Sequence, residues 1–152
     1  MAIIEVSADR LIGASAEEVY KLIADHEHHA RFLPPAFSDF TVESGGVGAG
    51  TVTRFKVTAG GRTRDYRMQV DEPEPGRVLR ESDTQSSLVT TWTVEPDGDR
   101  SRVTISTQWE GAGGIGGFFE RLFAPRVMRG IYADELERLD GYAREQRAAG
   151  SG

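Results

Sequence analysis

The last third of the chain carries the longest helical pattern in the sequence, running from Gly116 towards the C-terminus. Its apolar residues recur three or four positions apart, which is the spacing of one face of an α-helix. Such a stripe must pack against another element. Because most of the preceding chain alternates like β-strand, we expect one long helix lying on an antiparallel sheet. The stripe consists of Phe119, Leu122, Phe123, Met128, Ile131, Tyr132, Leu136, Leu139 and Ala143.

A proline interrupts this helical pattern. Pro125 disfavours helical geometry at Ala124, so the sequence predicts a short piece over residues 117–123 and a longer helix that begins at Pro125. The short piece would act as a movable flap that presents Phe118, Phe119 and Phe123. Two Asp–Arg pairs four residues apart, Asp134–Arg138 and Asp140–Arg144, would mark the solvent side of the longer helix.

The N-terminal region predicts one strand followed by two short helices. Residues 3–12 alternate between apolar and polar side chains, as in a half-buried strand. Ser15 and Glu18 form a capping box at the start of the first helix. Asp25 is placed to cap a second helix, which Pro34 and Pro35 end.

Two glycine-containing turns set the registers of two predicted hairpins. A two-residue loop at Gly60-Gly61 puts Thr53, Phe55 and Val57 opposite Met68, Tyr66 and Arg64. A loop at Asp97-Gly98 puts Trp92, Thr90, Leu88 and Glu95 opposite Val103, Ile105, Thr107 and Arg100. Residues 78–83 form a further strand whose facing the pattern does not determine. The sequence therefore predicts an α+β fold with seven strands, two short helices between strands 1 and 2, and a C-terminal helix.

Composition narrows the class of protein. The 152 residues predict one domain over residues 1–147, with a flexible tail at 148–152. The net charge of -6 argues against nucleic-acid binding, and no apolar run is long enough for stable membrane insertion. The chain has no cysteine and no signal-peptide pattern at its start, so we expect a cytoplasmic monomer or weak homodimer.

Several stretches together resemble a known superfamily. They are GASAEEVYKLIADHEHHARFLP, GVGAGTVTRF, VTTWTVEPDGDRSRVT and GGFFERLFAPRVMRGIYADELERLDGYA. The chain is similar to START-related, birch-pollen-allergen-like (SRPBCC) proteins, and within them to the polyketide cyclase/dehydrase and lipid-transport group. The resemblance implies a helix-grip fold, in which a curved seven-stranded sheet wraps round the C-terminal helix and leaves a hydrophobic cavity. Members include lipid and sterol carriers, hormone receptors and aromatase/cyclases, so the fold does not select a function.

Two motifs resemble a cofactor-binding site and a metal site. Residues 111–116 read GAGGIG, a GxGxxG pattern, but no parallel strand follows that would complete a dinucleotide site, so we interpret it as a flexible connector. His26, His28 and His29 lie near Asp25 and Glu27, but without a His-Glu-x-x-His spacing. We interpret the histidines as solvated residues at a helix start, with a proton shuttle at the cavity mouth as an alternative. The sequence therefore predicts no cofactor and no metal.

The predicted inner face of the sheet mixes aromatic side chains with hydroxyls. Apolar walls with a few convergent polar groups are typical of a small-molecule pocket, although the same residues could fill an ordinary core. Arg64 could bind an anionic head group or extend to solvent. The candidate ligand-binding residues are Phe32, Leu33, Thr53, Phe55, Arg64, Tyr66, Met68, Thr90, Trp92, Thr107, Trp109, Phe119, Phe123, Met128 and Tyr132.

Three functions are compatible with this pattern. The first is a carrier or sensor that binds a hydrophobic or amphipathic small molecule, such as a lipid or polyketide. The second is a polyketide aromatase/cyclase, with Tyr66, Tyr132, Asp134 or a histidine as candidate acid or base. The third is a protein-interaction module without a ligand.

Overall fold

The computed structural model describes residues 3–59, 61–111 and 114–151, and within the last range it describes side chains from 124 to 150. Seven strands, two short α-helices, a 3-10 turn and a long C-terminal α-helix follow one another along the chain. The elements are β1 (Ile3–Ile12), α1 (Ala16–Ala24), α2 (His26–His29), the 3-10 turn (Ala30–Phe32), β2 (Phe37–Ser44), β3 (Val52–Ala59), β4 (Arg62–Glu74), β5 (Val78–Asp83), β6 (Val89–Asp97), β7 (Arg100–Glu110) and α3 (Gly114–Ser151).

All seven strands form one antiparallel sheet in the order β1-β7-β6-β5-β4-β3-β2. The chain therefore runs from one edge strand through α1 and α2 to the other edge, and then returns strand by strand. This arrangement confirms the predicted fold class, with the two short helices between the first two strands. α3 packs mainly on β1 and on the 3-10 turn, so it lies across the sheet near the β1 edge.

The first hairpin has the predicted register. Phe55 pairs with Tyr66 and Thr53 with Met68, while Ala59 and Arg62 close the loop. Because side chains alternate along a strand, Thr53, Phe55, Tyr66 and Met68 share the inner face of the sheet. The aromatic pair of this hairpin is therefore placed as the sequence predicts.

The predicted register of the second hairpin is wrong by two residues. Trp92 pairs with Ile105 and not with Val103, and Asp97 pairs directly with Arg100. The loop is centred on Gly98, with φ of 63°, and on Asp99, one position further along the chain than predicted. A shift of two residues keeps every side chain on its predicted face, since the side-chain period of a strand is two.

The two N-terminal helices begin at the predicted caps. The Ser15 hydroxyl accepts from the Glu18 backbone N–H, and the Glu18 carboxylate accepts from the Ser15 backbone N–H, so the capping box is complete. The Asp25 carboxylate accepts from the Glu27 N–H and starts α2. Val19 and Ile23 on α1 are buried against the sheet.

The predicted break in the C-terminal helix is wrong. α3 runs without interruption through Pro125, begins at Gly114, and continues to Ser151. A proline inside a helix removes one backbone hydrogen bond without necessarily ending it, and here the helix continues beyond it. The side chains of Phe118, Phe119 and Phe123 lie outside the described residues, and so do residues 112 and 113 of the glycine-rich segment.

The predicted stripe of α3 is buried at Tyr132, Leu136, Leu139 and Ala143 and half-buried at Met128 and Ile131. The predicted solvent-facing position of Asp140 is wrong. Its carboxylate is mostly buried, accepts from the Gly13 backbone N–H at 2.9 Å and from Arg144 at 2.9 Å, and ties the helix to the end of β1. No described helix is both long enough and apolar enough to cross a membrane.

Candidate functional site

The inner face of the sheet, together with α2 and α3, carries two groups of side chains that are unusual for a protein core. A buried polar cluster lies between the middle of the sheet and the helices, and an aromatic wall lies on the β2–β4 side. The buried polar cluster consists of His29, Glu81, Thr90, Trp92, Thr107, Tyr132 and Glu135. The aromatic wall consists of Phe37, Phe40, Phe55 and Tyr66.

His29 connects α2 to α3 within the buried polar cluster. Its Nδ1 donates to the Ile23 carbonyl oxygen at 2.9 Å, and its Nε2 lies 3.4 Å from Glu135 Oε2. Burial lowers the pKa of His29, but the hydrogen bond to Glu135 and the charges of Glu81 and Glu135 outweigh it and raise the pKa above its usual value. The imidazole is therefore suited to hold a proton in the interior.

Glu81 brings a second carboxyl group into the same interior. It projects inward from β5, where Leu79 is also buried, and Trp92 Nε1–H donates to Glu81 Oε1 at 2.8 Å. Burial raises the pKa of Glu81, while the charge of His29 and the Trp92 hydrogen bond oppose that shift. This carboxyl group keeps its proton to a higher pH than an exposed glutamate, which is a property of many general acids.

Three hydroxyls extend the buried polar cluster towards β7. Thr90 and Thr107 share a hydrogen bond of 2.7 Å across β6 and β7, and Thr107 is bonded in turn to the Tyr132 hydroxyl on α3. Burial raises the pKa of Tyr132, so the phenol stays protonated. The chain of hydroxyls joins the sheet to α3 through polar contacts.

The aromatic wall is built by the second edge strand and the first hairpin. The Phe55 ring contacts three other rings, with centroid distances of 5.4 Å to Phe37, 5.7 Å to Tyr66 and 6.2 Å to Phe40. β2 changes register between Ser38 and Thr41, and this bulge accompanies the turn of Phe40 towards Phe55. Tyr66 and Phe37 remain half-buried, so part of the wall is open.

His26 extends the aromatic wall to α2, and the predicted solvated position of His26 and His29 is wrong. Both rings are buried, stack on each other at 5.5 Å, and contact Phe40 and Phe32 respectively. Only His28 is partly exposed, and its Nδ1 lies 2.6 Å from the Tyr142 hydroxyl. His29 is buried because its ring packs onto the sheet at Trp92, which it contacts edge-on at 5.0 Å, whereas His26 is buried beside Phe40 and the Gly46 carbonyl.

The structure places most of the predicted ligand-binding residues on this inner surface or at its margin. Phe32, Met68 and Trp109 are buried, while Leu33 and Met128 are half-buried. Arg64 is exposed and lies two residues before Tyr66 on β4, so both belong to the inner face of the sheet. Burial raises the pKa of the Tyr66 hydroxyl, and the charge of Arg64 opposes that shift.

Asp134, a candidate acid or base, lies outside this site. Its carboxylate is 42% exposed and accepts from Arg138 at 3.1 Å on the outer side of α3. Phe119 and Phe123 are among the side chains that the structure does not describe, and their role stays a prediction.

Sequence reasoning missed Glu81 and Glu135. Glu81 lies two residues after Leu79 on a strand whose facing was undetermined, and an inward Leu79 would have brought Glu81 inward as well. Glu135 lies between Tyr132 and Leu139 at helical spacing, so its position on the apolar stripe could have been found.

Neither the histidines nor the acidic residues form a metal site in the described part of the chain, where no group of three His, Asp or Glu side chains is placed to hold an ion. A separate open groove of about 810 Å³ lies between α1 and the C-terminal end of α3, lined by Tyr20, His28 and Gln146 among others. None of the predicted ligand-binding residues lines this groove, so it is distinct from the inner face.

A curved antiparallel sheet that grips a C-terminal helix over a partly polar interior defines the helix-grip class of proteins. Residues 4–144 match the family model described as polyketide cyclase / dehydrase and lipid transport. The chain belongs to this family, within the SRPBCC superfamily. The description of the family covers polyketide cyclase / dehydrase activity and lipid transport.

Solved structures with the same fold include proteins of different function. The KanY protein is 37% identical, with a TM-score of 0.84, and the match covers 95% of this chain and 99% of KanY. The Zhui aromatase/cyclase from Streptomyces sp. R1128 is 18% identical, with a TM-score of 0.77 and 99% of both chains covered. Norcoclaurine synthase from Thalictrum flavum is 17% identical, with a TM-score of 0.75 over 96% of this chain and 97% of its own. The latter two similarities are at the level of fold alone. A comparison with curated proteins found no significant match.

Proposed function

We propose that this protein binds a hydrophobic or amphipathic small molecule, such as a lipid or a polyketide, between the inner face of the sheet and α3. The observation that carries the proposal is the aromatic wall, in which Phe37, Phe40 and Tyr66 remain half-buried around Phe55. Aromatic rings that contact one another but are only partly covered form a surface to which an apolar ligand can bind.

The polar groups beside the wall supply orientation, and the wall supplies most of the affinity. Each CH₂ group that a ligand buries contributes about 0.8 kcal/mol. The Tyr66 hydroxyl and the Arg64 guanidinium lie at the exposed end of the wall, where they can meet a polar end of the ligand. An amphipathic molecule would thus lie with its apolar part towards Phe55.

A titration with the fluorescent amphiphile 8-anilinonaphthalene-1-sulfonate tests this proposal. We expect saturable binding to the wild type, and about tenfold weaker binding to Phe55→Ala, because the ring is the centre of the wall. Val127→Ala removes an exposed side chain on α3 and serves as the control, with unchanged binding. Circular dichroism checks that both variants are folded. Equal affinity of folded Phe55→Ala and wild type would contradict the proposal.

A second candidate function is cyclase- or dehydratase-type catalysis in the same interior. The observation that favours it is the meeting of His29, Glu135 and Glu81, three titratable groups with little exposure. Loss of water from a β-hydroxyketone needs a base that removes the proton α to the carbonyl and an acid that protonates the departing hydroxyl. The raised pKa of Glu81 supports the acid role, and Tyr66 or Tyr132 could polarise the carbonyl.

Turnover of a β-hydroxyketone probe separates this enzyme from a carrier. If Glu81 is the acid, Glu81→Gln should abolish dehydration while leaving the affinity for the probe intact, since Gln keeps an acceptor for Trp92 Nε1. Tyr66→Phe tests the carbonyl contact in the same way. If the wild type binds the probe without dehydrating it, the enzyme function is contradicted and the carrier function remains.

Other expectations for this protein rest on the sequence. A net charge of -6 supports the absence of nucleic-acid binding. A cytoplasmic location and a monomeric or weakly dimeric state are part of the proposal and can be checked by fractionation and by analytical ultracentrifugation.

A further inference from the structure

Two buried polar atoms have no hydrogen-bond partner among the residues that the structure describes. They are His26 Nε2 and Thr53 Oγ1, on side chains whose residues are 2% and 1% exposed. Nearly all buried polar atoms in proteins are paired, so each exception needs an explanation. Here both exceptions occur in one part of the molecule, beside the aromatic wall.

The hydrogen bond at the other nitrogen of His26 fixes which kind of partner its Nε2 needs. His26 Nδ1 lies 3.2 Å from the Gly46 carbonyl oxygen, and a carbonyl only accepts, so Nδ1 carries the hydrogen. Burial and then the charge of His29 lower the pKa of His26 to about 4, so the ring is neutral near pH 7. In that tautomer Nε2 is a bare acceptor, and only a donor can pair with it.

Both atoms belong to the same wall of the proposed pocket. The His26 ring lies parallel to Phe40, with 6.5 Å between centroids and 8° between planes, and Phe40 stacks on Phe55. Thr53 precedes Phe55 by two residues on β3 and therefore shares its face. Phe40 is half-buried at the bulge of β2, where Asp39 has φ of 52°, so a shift of its ring would open the way to His26.

We infer that the pocket selects an aromatic ligand that carries a hydroxyl group, with the hydroxyl donating to His26 Nε2 and the ring lying along the aromatic wall. The Thr53 hydroxyl is the second polar contact, as a donor to an oxygen of the ligand. This inference rests on the proposed function and names the ligand class.

Other ligand groups fit less well. A ketone, an ether or a carboxylate only accepts, and would leave Nε2 unpaired. An ammonium group could donate, but the raised pKa of His29 favours a positive charge on a ring stacked 5.5 Å from His26, which would repel it. A neutral hydroxyl satisfies the acceptor without bringing a charge into the interior.

Calorimetric titration with 2-naphthol and 2-methoxynaphthalene tests the inference, because the two probes share a ring system and differ in the ability to donate. We expect the wild type to bind 2-naphthol about tenfold more tightly. His26→Phe keeps an aromatic ring and should reduce the preference to less than about twofold, while 2-methoxynaphthalene still binds. His28→Phe, whose imidazole bonds to Tyr142 on another surface, is the matched control and should keep the preference.

Nitrogen NMR of the labelled wild-type protein gives an answer even if His26→Phe does not fold. 2-Naphthol should shift the His26 Nε2 resonance, and 2-methoxynaphthalene should not. Equal affinity for the two probes with no Nε2 shift would overturn the hydroxyl inference and leave the pocket intact. Failure of both probes to bind would contradict the proposed pocket itself, and the inference with it.

Discussion

His29 on α2 and Glu135 on α3 form a hydrogen-bonded pair inside the protein, with 3.4 Å between Nε2 and Oε2. Their side chains are 5% and 3% exposed. The pair joins α2, which lies between the edge strands β1 and β2 in the sequence, to the C-terminal helix α3. Removing one partner of such a pair leaves the other buried without compensation, so the two residues should behave as a unit.

Glu135→Gln should destabilise the protein by about 3 kcal/mol near pH 6, because it removes the charge that compensates His29. Urea unfolding measures the change in the free energy of unfolding. Glu137→Gln alters an exposed glutamate on the same helix and should cost less than about 0.5 kcal/mol. A loss at Glu135 as small as that at Glu137 would show that His29 does not depend on this partner.

The same pair predicts a pH dependence with a definite sign. The pKa of His29 is raised in the folded protein, so the folded state holds this proton more tightly than the unfolded chain. The stability it contributes is fully present below the unfolded pKa of about 6.5 and is lost as the pH rises through the folded pKa.

The difference in unfolding free energy between wild type and Glu135→Gln should therefore shrink from pH 6 to alkaline pH. Using this difference removes the part of the His26 contribution that is common to both proteins; the pKa of His26 is lowered to about 4, and this residue acts with the opposite sign as the pH falls below neutrality. A difference that stays constant or grows with pH would contradict the assigned charge of His29.

Asp140 and Asp134 offer a matched comparison, since each pairs with an arginine four residues later on α3. The Asp140 side chain is 10% exposed and also holds the Gly13 N–H, whereas the Asp134 side chain is 42% exposed. Asp140→Ala should cost about 2 kcal/mol, and Asp134→Ala about 0.3 kcal/mol. Thermal unfolding at pH 7 measures both, and equal losses would show that the contact with β1 adds nothing.

The order of helices and strands along the chain and one hairpin register were accessible from the sequence, because both depend on local patterns. Gly60-Gly61 admits a two-residue loop, and the Phe55–Tyr66 pairing follows from it. Near Asp97 the same reasoning chose the wrong pair of loop residues, since either Asp97-Gly98 or Gly98-Asp99 can form a tight turn. The side chains still lie on their predicted faces, because the error shifts the strand pairing by two residues.

The candidate site was only partly accessible, because it depends on where distant elements meet. Thr90, Trp92, Thr107 and Tyr132 were found from their faces, and the structure brings them together. The histidines of α2 were misassigned because a four-residue helix has no periodicity that shows which side is buried. Only the packing of α2 against Trp92 determines that His29 is buried.

Native mass spectrometry of freshly purified protein tests the central claim most directly, which is that an apolar molecule binds between the sheet and α3. We predict a noncovalent adduct on the folded wild type, with the adduct reduced in Phe55→Ala and absent after denaturation. The mass of the released molecule would also distinguish a lipid from a polyketide. A wild type that shows only its bare mass, and gains no adduct from a broad panel of lipids and aromatic compounds, would contradict the account.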